Sequence, residues 1–127
     1  MKKQLFLSLQ FVLLFTVTVF AQYPKGTKEV IILHTNDMHA KIDNLGKLAY
    51  LADSLRITHP YVFLVAAGDN FTGNPVVDMV SDKGYPMIEL MNMCGYDLSC
   101  FGNHEFDLGQ ETLNKRRTQA TFPFISC

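Results

Sequence analysis

Three apolar runs, each closed by a small polar cluster, most constrain what this chain can fold into. Glu29 to Thr35 (EVIILHT) is continuous, apolar and rich in β-branched residues, the pattern of a strand covered on both faces, as in a parallel sheet. Tyr61 to Ala67 (YVFLVAA) repeats it, and Asp97 to Phe101 is a shorter third run. The clusters that close them are Asn36-Asp37-Met38-His39, Gly68-Asp69-Asn70 and Gly102-Asn103-His104-Glu105-Phe106-Asp107. Parallel strands deliver their C-terminal ends to one edge of a sheet, where open α/β folds hold ligands.

Helical periods fill the intervals. Leu45, Leu48, Ala49, Ala52 and Leu55 form one helix face, with Asn44 as N-cap and Thr58-His59-Pro60 as the stop. Pro75 fits the first position of a short helix reaching Val80, which Asp82-Lys83-Gly84 breaks. Tyr85 to Met93 reads as another helix, with Gly95 just past its end. A helix from Gly109 to Gln119 and an apolar run from Phe122 to Ser126 follow. The order β-α-β-α-β-α-β predicts an α/β layered fold. The last run stops at Cys127 as an uncovered strand edge, which reads as a truncated domain.

The first 28 residues belong to other tasks. Met1-Lys2-Lys3 is basic, Leu5 to Phe20 is strongly apolar, and Val19 and Ala21 sit at the −3 and −1 positions of a cleavage site. This predicts a signal peptide over 1–21, a linker over 22–28 and export to the periplasm or the outside, a retained N-terminal anchor being the alternative. Without Lys2 and Lys3, nine basic residues of the original 11 face 12 acidic ones. That balance excludes a nucleic-acid surface built on clustered Lys and Arg. Lys115-Arg116-Arg117 is expected on a solvated helix face. Cys94, Cys100 and Cys127 match no zinc spacing. Export permits a Cys94–Cys100 disulfide, and two buried thiols are an equal alternative.

The polar clusters carry the chemistry. Asp69 follows Asp37 by 32 residues and Asn103 follows Asp69 by 34, each close to one strand–helix–strand unit of roughly 30 residues. Neighbouring strands lie ~4.8 Å apart, so side chains from adjacent strand ends can converge on ions. Carboxylate, imidazole and amide donors suit zinc, manganese or iron. Asp37 and His39 are expected on one side of an extended segment. Asp69 has two oxygens with which to bridge ions, and Asn103 offers a neutral one, leaving His104 for substrate. Singly these are ordinary turn sequences. In order, each at a strand end, they point to one metal site. His34, within a strand, and His59, at a helix end, read as structural.

"HTNDMH", "AAGDNFTG" and "FGNHEFDLG" resemble the first three motifs of the calcineurin-like metallophosphoesterase superfamily. More narrowly they resemble those of the exported 5'-nucleotidase family, which includes UDP-sugar hydrolases and 2',3'-cyclic-nucleotide phosphodiesterases. The resemblance covers residues 29–127 and implies the N-terminal part of the layered metallophosphoesterase sandwich. It implies two divalent ions and hydrolysis of a nucleotide or other small phosphate ester. Asp37 and His39 match ligands of the first ion, Asp69 the bridging carboxylate and Asn103 a ligand of the second. His104 matches the histidine that acts on the phosphoryl group, and Asp107 its paired carboxylate, which would raise the histidine pKa. Glu105 and Asn70 fall in the motifs without a ligand role. The family's later histidines, including Gly-His-x-His, and its C-terminal nucleoside-holding domain have no match among the four histidines present. The half-site predicts little or no activity from this chain alone. The rival reading is a non-catalytic exported module that binds metal or phosphate.

Overall fold

β1 (Ile31–Thr35), β2 (Val62–Ala66), β3 (Leu98–Cys100) and β4 (Phe124–Ile125) pair in that order, every neighbour parallel. These are the expected strands, shortened at their ends. The computed structural model describes residues 26–126; the expected signal segment, residues 22–25 of the linker and Cys127 lie outside them. The crossovers carry α1 (Leu45–Thr58), then α2 (Pro75–Asp78) and α3 (Tyr85–Cys94), then α4 (Gly109–Gln119). A 3-10 turn, His104–Phe106, sits between β3 and α4. No helix among the described residues is long and apolar enough to cross a membrane.

Local chemistry sets the helix ends. Asn74 caps α2 by accepting the Val76 N–H at 3.1 Å, with Pro75 in the first turn, where a missing N–H is harmless. Gly95 ends α3 in the left-handed region, φ 69°, where glycine carries no Cβ penalty. Asn44 stands at the N-terminus of α1 but does not cap it through its side chain; its Oδ1 accepts Lys47 Nζ instead, at 3.2 Å.

The register separates two sheet faces. Leu33 aligns with Leu64 and Thr35 with Ala66, on the face that packs against Leu45, Ala52, Met87, Ile88, Met91 and Leu113. Ile32 aligns with Phe63 and His34 with Val65, on the opposite face. That second face has no layer over it among the described residues: Ile32 is 63% exposed, Phe63 45% and Ile125 41%. Coverage of both faces, expected from the continuous apolar runs, is therefore corrected to coverage of one by the described residues.

The basic run on α4 is also corrected. Lys115 and Arg117 are exposed, but Arg116 is 1% exposed. Its Nη2 donates to both oxygens of Asp82 at 3.2 and 3.3 Å, and its guanidinium lies 5.5 Å from the Tyr85 ring centroid. The hydrogen bond from Lys115, foremost, holds the Asp82 carboxyl below its ordinary pKa. Cys94 and Cys100 are unpaired thiols, the former buried.

Asp97 joins β2 to β3 beyond their two registered residue pairs. Its N–H donates to Leu64 O at 2.8 Å, and its Oδ2 accepts the Leu64 N–H at 2.8 Å and Arg56 Nη2 at 3.0 Å. Asp97→Ala leaves the Leu64 N–H without its acceptor, so we expect a loss of about 1–2 kcal/mol, read from the urea midpoint.

Candidate metal centre

The loops after β1, β2 and β3 leave the same sheet edge and are laced together there. Asp37 N–H donates to Gly68 O at 3.3 Å, His39 N–H to Asp69 O at 3.0 Å and Ala40 N–H to Asn70 O at 2.8 Å. His104 N–H donates to Asp69 Oδ1 at 2.9 Å. Two glycines make this approach possible. A Cβ on Gly68 would lie 2.6 Å from the Gly102 nitrogen, and one on Gly102 would lie 2.1 Å from Asp69 Oδ1.

The backbone here is bent, not extended. Asp37, His39, Ala40, Asp69 and Thr72 all have positive φ, between 46° and 56°, a region that non-glycine residues enter only where surroundings enforce it. Asp37 and His39 do meet, with Asp37 Oδ1 4.0 Å from His39 Nε2. The alternation of an extended segment is not what brings them together, as the sequence suggested; the left-handed turns at 37, 39 and 40 do.

One ligand atom each from His39, Asp69 and His104 fall within 4.8 Å of one another. The His39 and His104 rings stand edge to face, centroids 4.5 Å apart at 72°. Two imidazoles and a carboxylate form a donor set that fits zinc, manganese or iron. Asp37 is exposed and outside that trio, with Oδ2 accepting Asn36 Nδ2 at 2.9 Å. Asn103 is exposed, and its carbonyl accepts the Phe106 N–H that closes the 3-10 turn. His34 lies on the uncovered sheet face, and His59 closes α1 beside Glu29, 3.7 Å away.

His104 Nδ1 bonds Asp107 Oδ2 at 2.7 Å, and the same oxygen accepts the Thr72 hydroxyl at 2.6 Å. The bond to Asp107 raises the His104 pKa, assisted by the charges of Asp107, Asp69 and Glu105. The Thr72 hydroxyl first, then His104, lowers that of Asp107. The charged pair is therefore held between the two values. Its stabilisation is lost as pH rises through the raised histidine pKa or falls through the lowered carboxyl pKa. An NMR titration is expected to give His104 a midpoint above the ordinary histidine range, and Asp107→Asn is expected to lower it.

Thr72 and Glu105 take parts that the sequence did not reveal. Thr72 reaches Asp107 across 35 residues, with only its place in the second loop as a signal. Glu105 is fully buried, and its position in the third motif was the only hint.

Residues 30–127 match the family described as calcineurin-like phosphoesterase. Among curated proteins the chain is 33% identical over 118 residues to snake venom 5'-nucleotidase of Gloydius brevicauda, covering 80% of this chain and 20% of that protein. It is 35% identical over 89 residues to trifunctional nucleotide phosphoesterase protein YfkN of Bacillus subtilis, covering 70% and 6%. The chain thus spans a fifth or less of these two relatives. Among solved structures, the calcineurin-like phosphoesterase YfkN from Bacillus subtilis superposes with a TM-score of 0.63 at 31% identity, over 76% of this chain and 36% of that one.

Proposed function

Because the chain belongs to the calcineurin-like phosphoesterase family, we propose that it forms part of the centre of an exported, divalent-metal-dependent hydrolase of nucleotides or related small phosphate esters. The observation that carries this reading is the convergence of His39, Asp69 and His104 within 4.8 Å at the sheet edge. Asp37 and His39 would hold one ion, Asn103 another, and Asp69 would be shared between them. Bound ions would supply an activated water and neutralise charge on the phosphoryl oxygens.

The chain's own work is at His104. Its Nδ1 is engaged by Asp107, which leaves Nε2 to face the phosphoryl group or to give a proton to the departing oxygen. The raised pKa keeps that proton available to higher pH than an isolated histidine allows. The substrate class rests on the names of the relatives, nucleotidases and a nucleotide phosphoesterase, and export on the N-terminal pattern. Asp37, His39, Asp69 and Asn103 are four ligands for two ions, where zinc alone usually takes about three protein ligands and a water. Hydrolysis by these 127 residues alone is therefore expected to be weak or absent, which favours, as a second reading, a module that binds metal or phosphate without turnover.

The test is phosphate release from AMP, a 2',3'-cyclic nucleotide and a UDP-sugar, with Mn²⁺ or Zn²⁺, by the protein isolated from its own cells. Release that needs the metal and disappears in His104→Ala supports the hydrolase. Release that survives both chelation and that substitution contradicts it, and metal binding without release supports the second reading.

A further inference from the structure

Glu105 is the only fully buried carboxylate among the described residues. It sits in the turn that carries His104, with its carboxylate turned to the loop that carries Asp69. Its Oε1 accepts the Asn70 N–H at 2.7 Å and Asn70 Nδ2 at 3.0 Å. Its Oε2 accepts the Asp69 N–H at 3.0 Å and the Gly102 N–H at 2.6 Å. Four donors from two loops thus converge on one side chain. The registered β2–β3 pairs end at Ala66 and Ser99, so beyond the strands Glu105 takes over from the backbone ladder.

We propose that Glu105 is the positioning residue of the metal centre: it fixes the Asp69 loop against the turn that carries His104, and acts through those two residues. This rests on the metal-centre reading above. Asp69 is held at φ 53°, a conformation that persists only where surroundings over-determine it, and its own N–H is one of the four donors. Asn70 Oδ1 is buried without a hydrogen-bond partner, while Asn70 Nδ2 goes to Glu105 and to Ser99 Oγ at 3.0 Å. The amide is thus oriented by its nitrogen, as an acceptor at Glu105 requires. An amide at position 105 would turn one of the accepting oxygens into a donor facing donors.

The test compares Glu105→Gln with the unaltered chain by calorimetric titration with Zn²⁺, at a temperature where circular dichroism shows both folded. Loss of an outer-shell partner weakens metal binding by ~10–100-fold, and that range is expected for Glu105→Gln. Amide exchange in the metal-free protein is expected to quicken at Asp69, Asn70 and Gly102. A purely stabilising role would lower the melting temperature and leave the zinc affinity of folded molecules unchanged, and affinity within about twofold of the unaltered chain overturns the proposal. If the unaltered chain takes up no zinc, the metal-centre reading fails. Exchange at the three amides then decides whether Glu105 holds the loops: quickened exchange supports that and unchanged exchange overturns it. If Glu105→Gln does not fold, Asn70→Ala, which removes one of the four donors, takes its place. A loss of about threefold or more supports the proposal and an unchanged affinity overturns it.

Discussion

Gly102→Ala is expected to destabilise the chain by about 3 kcal/mol, the upper end for overpacking a tight site. The added Cβ would lie 2.1 Å from Asp69 Oδ1 and 2.5 Å from the Asp69 nitrogen. One of those atoms is backbone, so a change of rotamer cannot relieve the contact. Gly102 is not among the residues of positive φ, so the penalty is steric and not conformational. Gly46, in the first turn of α1, is the matching control. A Cβ there meets nothing within 4 Å, and alanine in a helix is favoured over glycine by roughly 0.8–1 kcal/mol. Guanidinium denaturation of the two variants should give shifts of opposite sign. Equal midpoints would mean that the loops after β2 and β3 do not approach as described.

Asp69→Asn is expected to weaken zinc binding by more than ~100-fold, beyond the range for outer-shell partners, with the circular dichroism spectrum unchanged. Asn has nearly the same shape and can keep an oxygen for the His104 N–H, which Asp69 Oδ1 accepts at 2.9 Å. What it loses is the charge and one of two ligand oxygens, leaving the His39 imidazole beside the cation with no anionic partner in the trio. Calorimetric titration gives the comparison. Zinc affinity equal to that of the unaltered chain would place the ion elsewhere.

These two sites show what a linear reading delivers and where it stops. Strands, helices and their order were legible because hydrophobic period depends on near neighbours alone: Leu45 to Thr58 and Gly109 to Gln119 have the bounds expected. That Asp37, Asp69 and the Gly102–Asp107 stretch share one sheet edge followed from the parallel order. The route by which Asp37 and His39 meet did not, because five left-handed residues reflect the packing of loops against one another. Glu105 and Arg116 were hidden for a related reason. A charged residue is buried only when partners distant in sequence satisfy it, and Glu105 finds the N–H groups of Asp69 and Asn70 while Arg116 finds Asp82. The sheet face left open by the described residues differs from expectation in the opposite sense. Ile32, Phe63 and Ile125 have the composition of a covered strand, and composition does not say whether a second layer is present.

The most direct measurement of the central claim is anomalous diffraction from crystals of the chain soaked in zinc. An anomalous peak is expected beside His39 and Asp69, within about 2.0–2.2 Å of the His39 imidazole nitrogen and an Asp69 carboxylate oxygen. A peak elsewhere, with none at these two side chains, would contradict that claim.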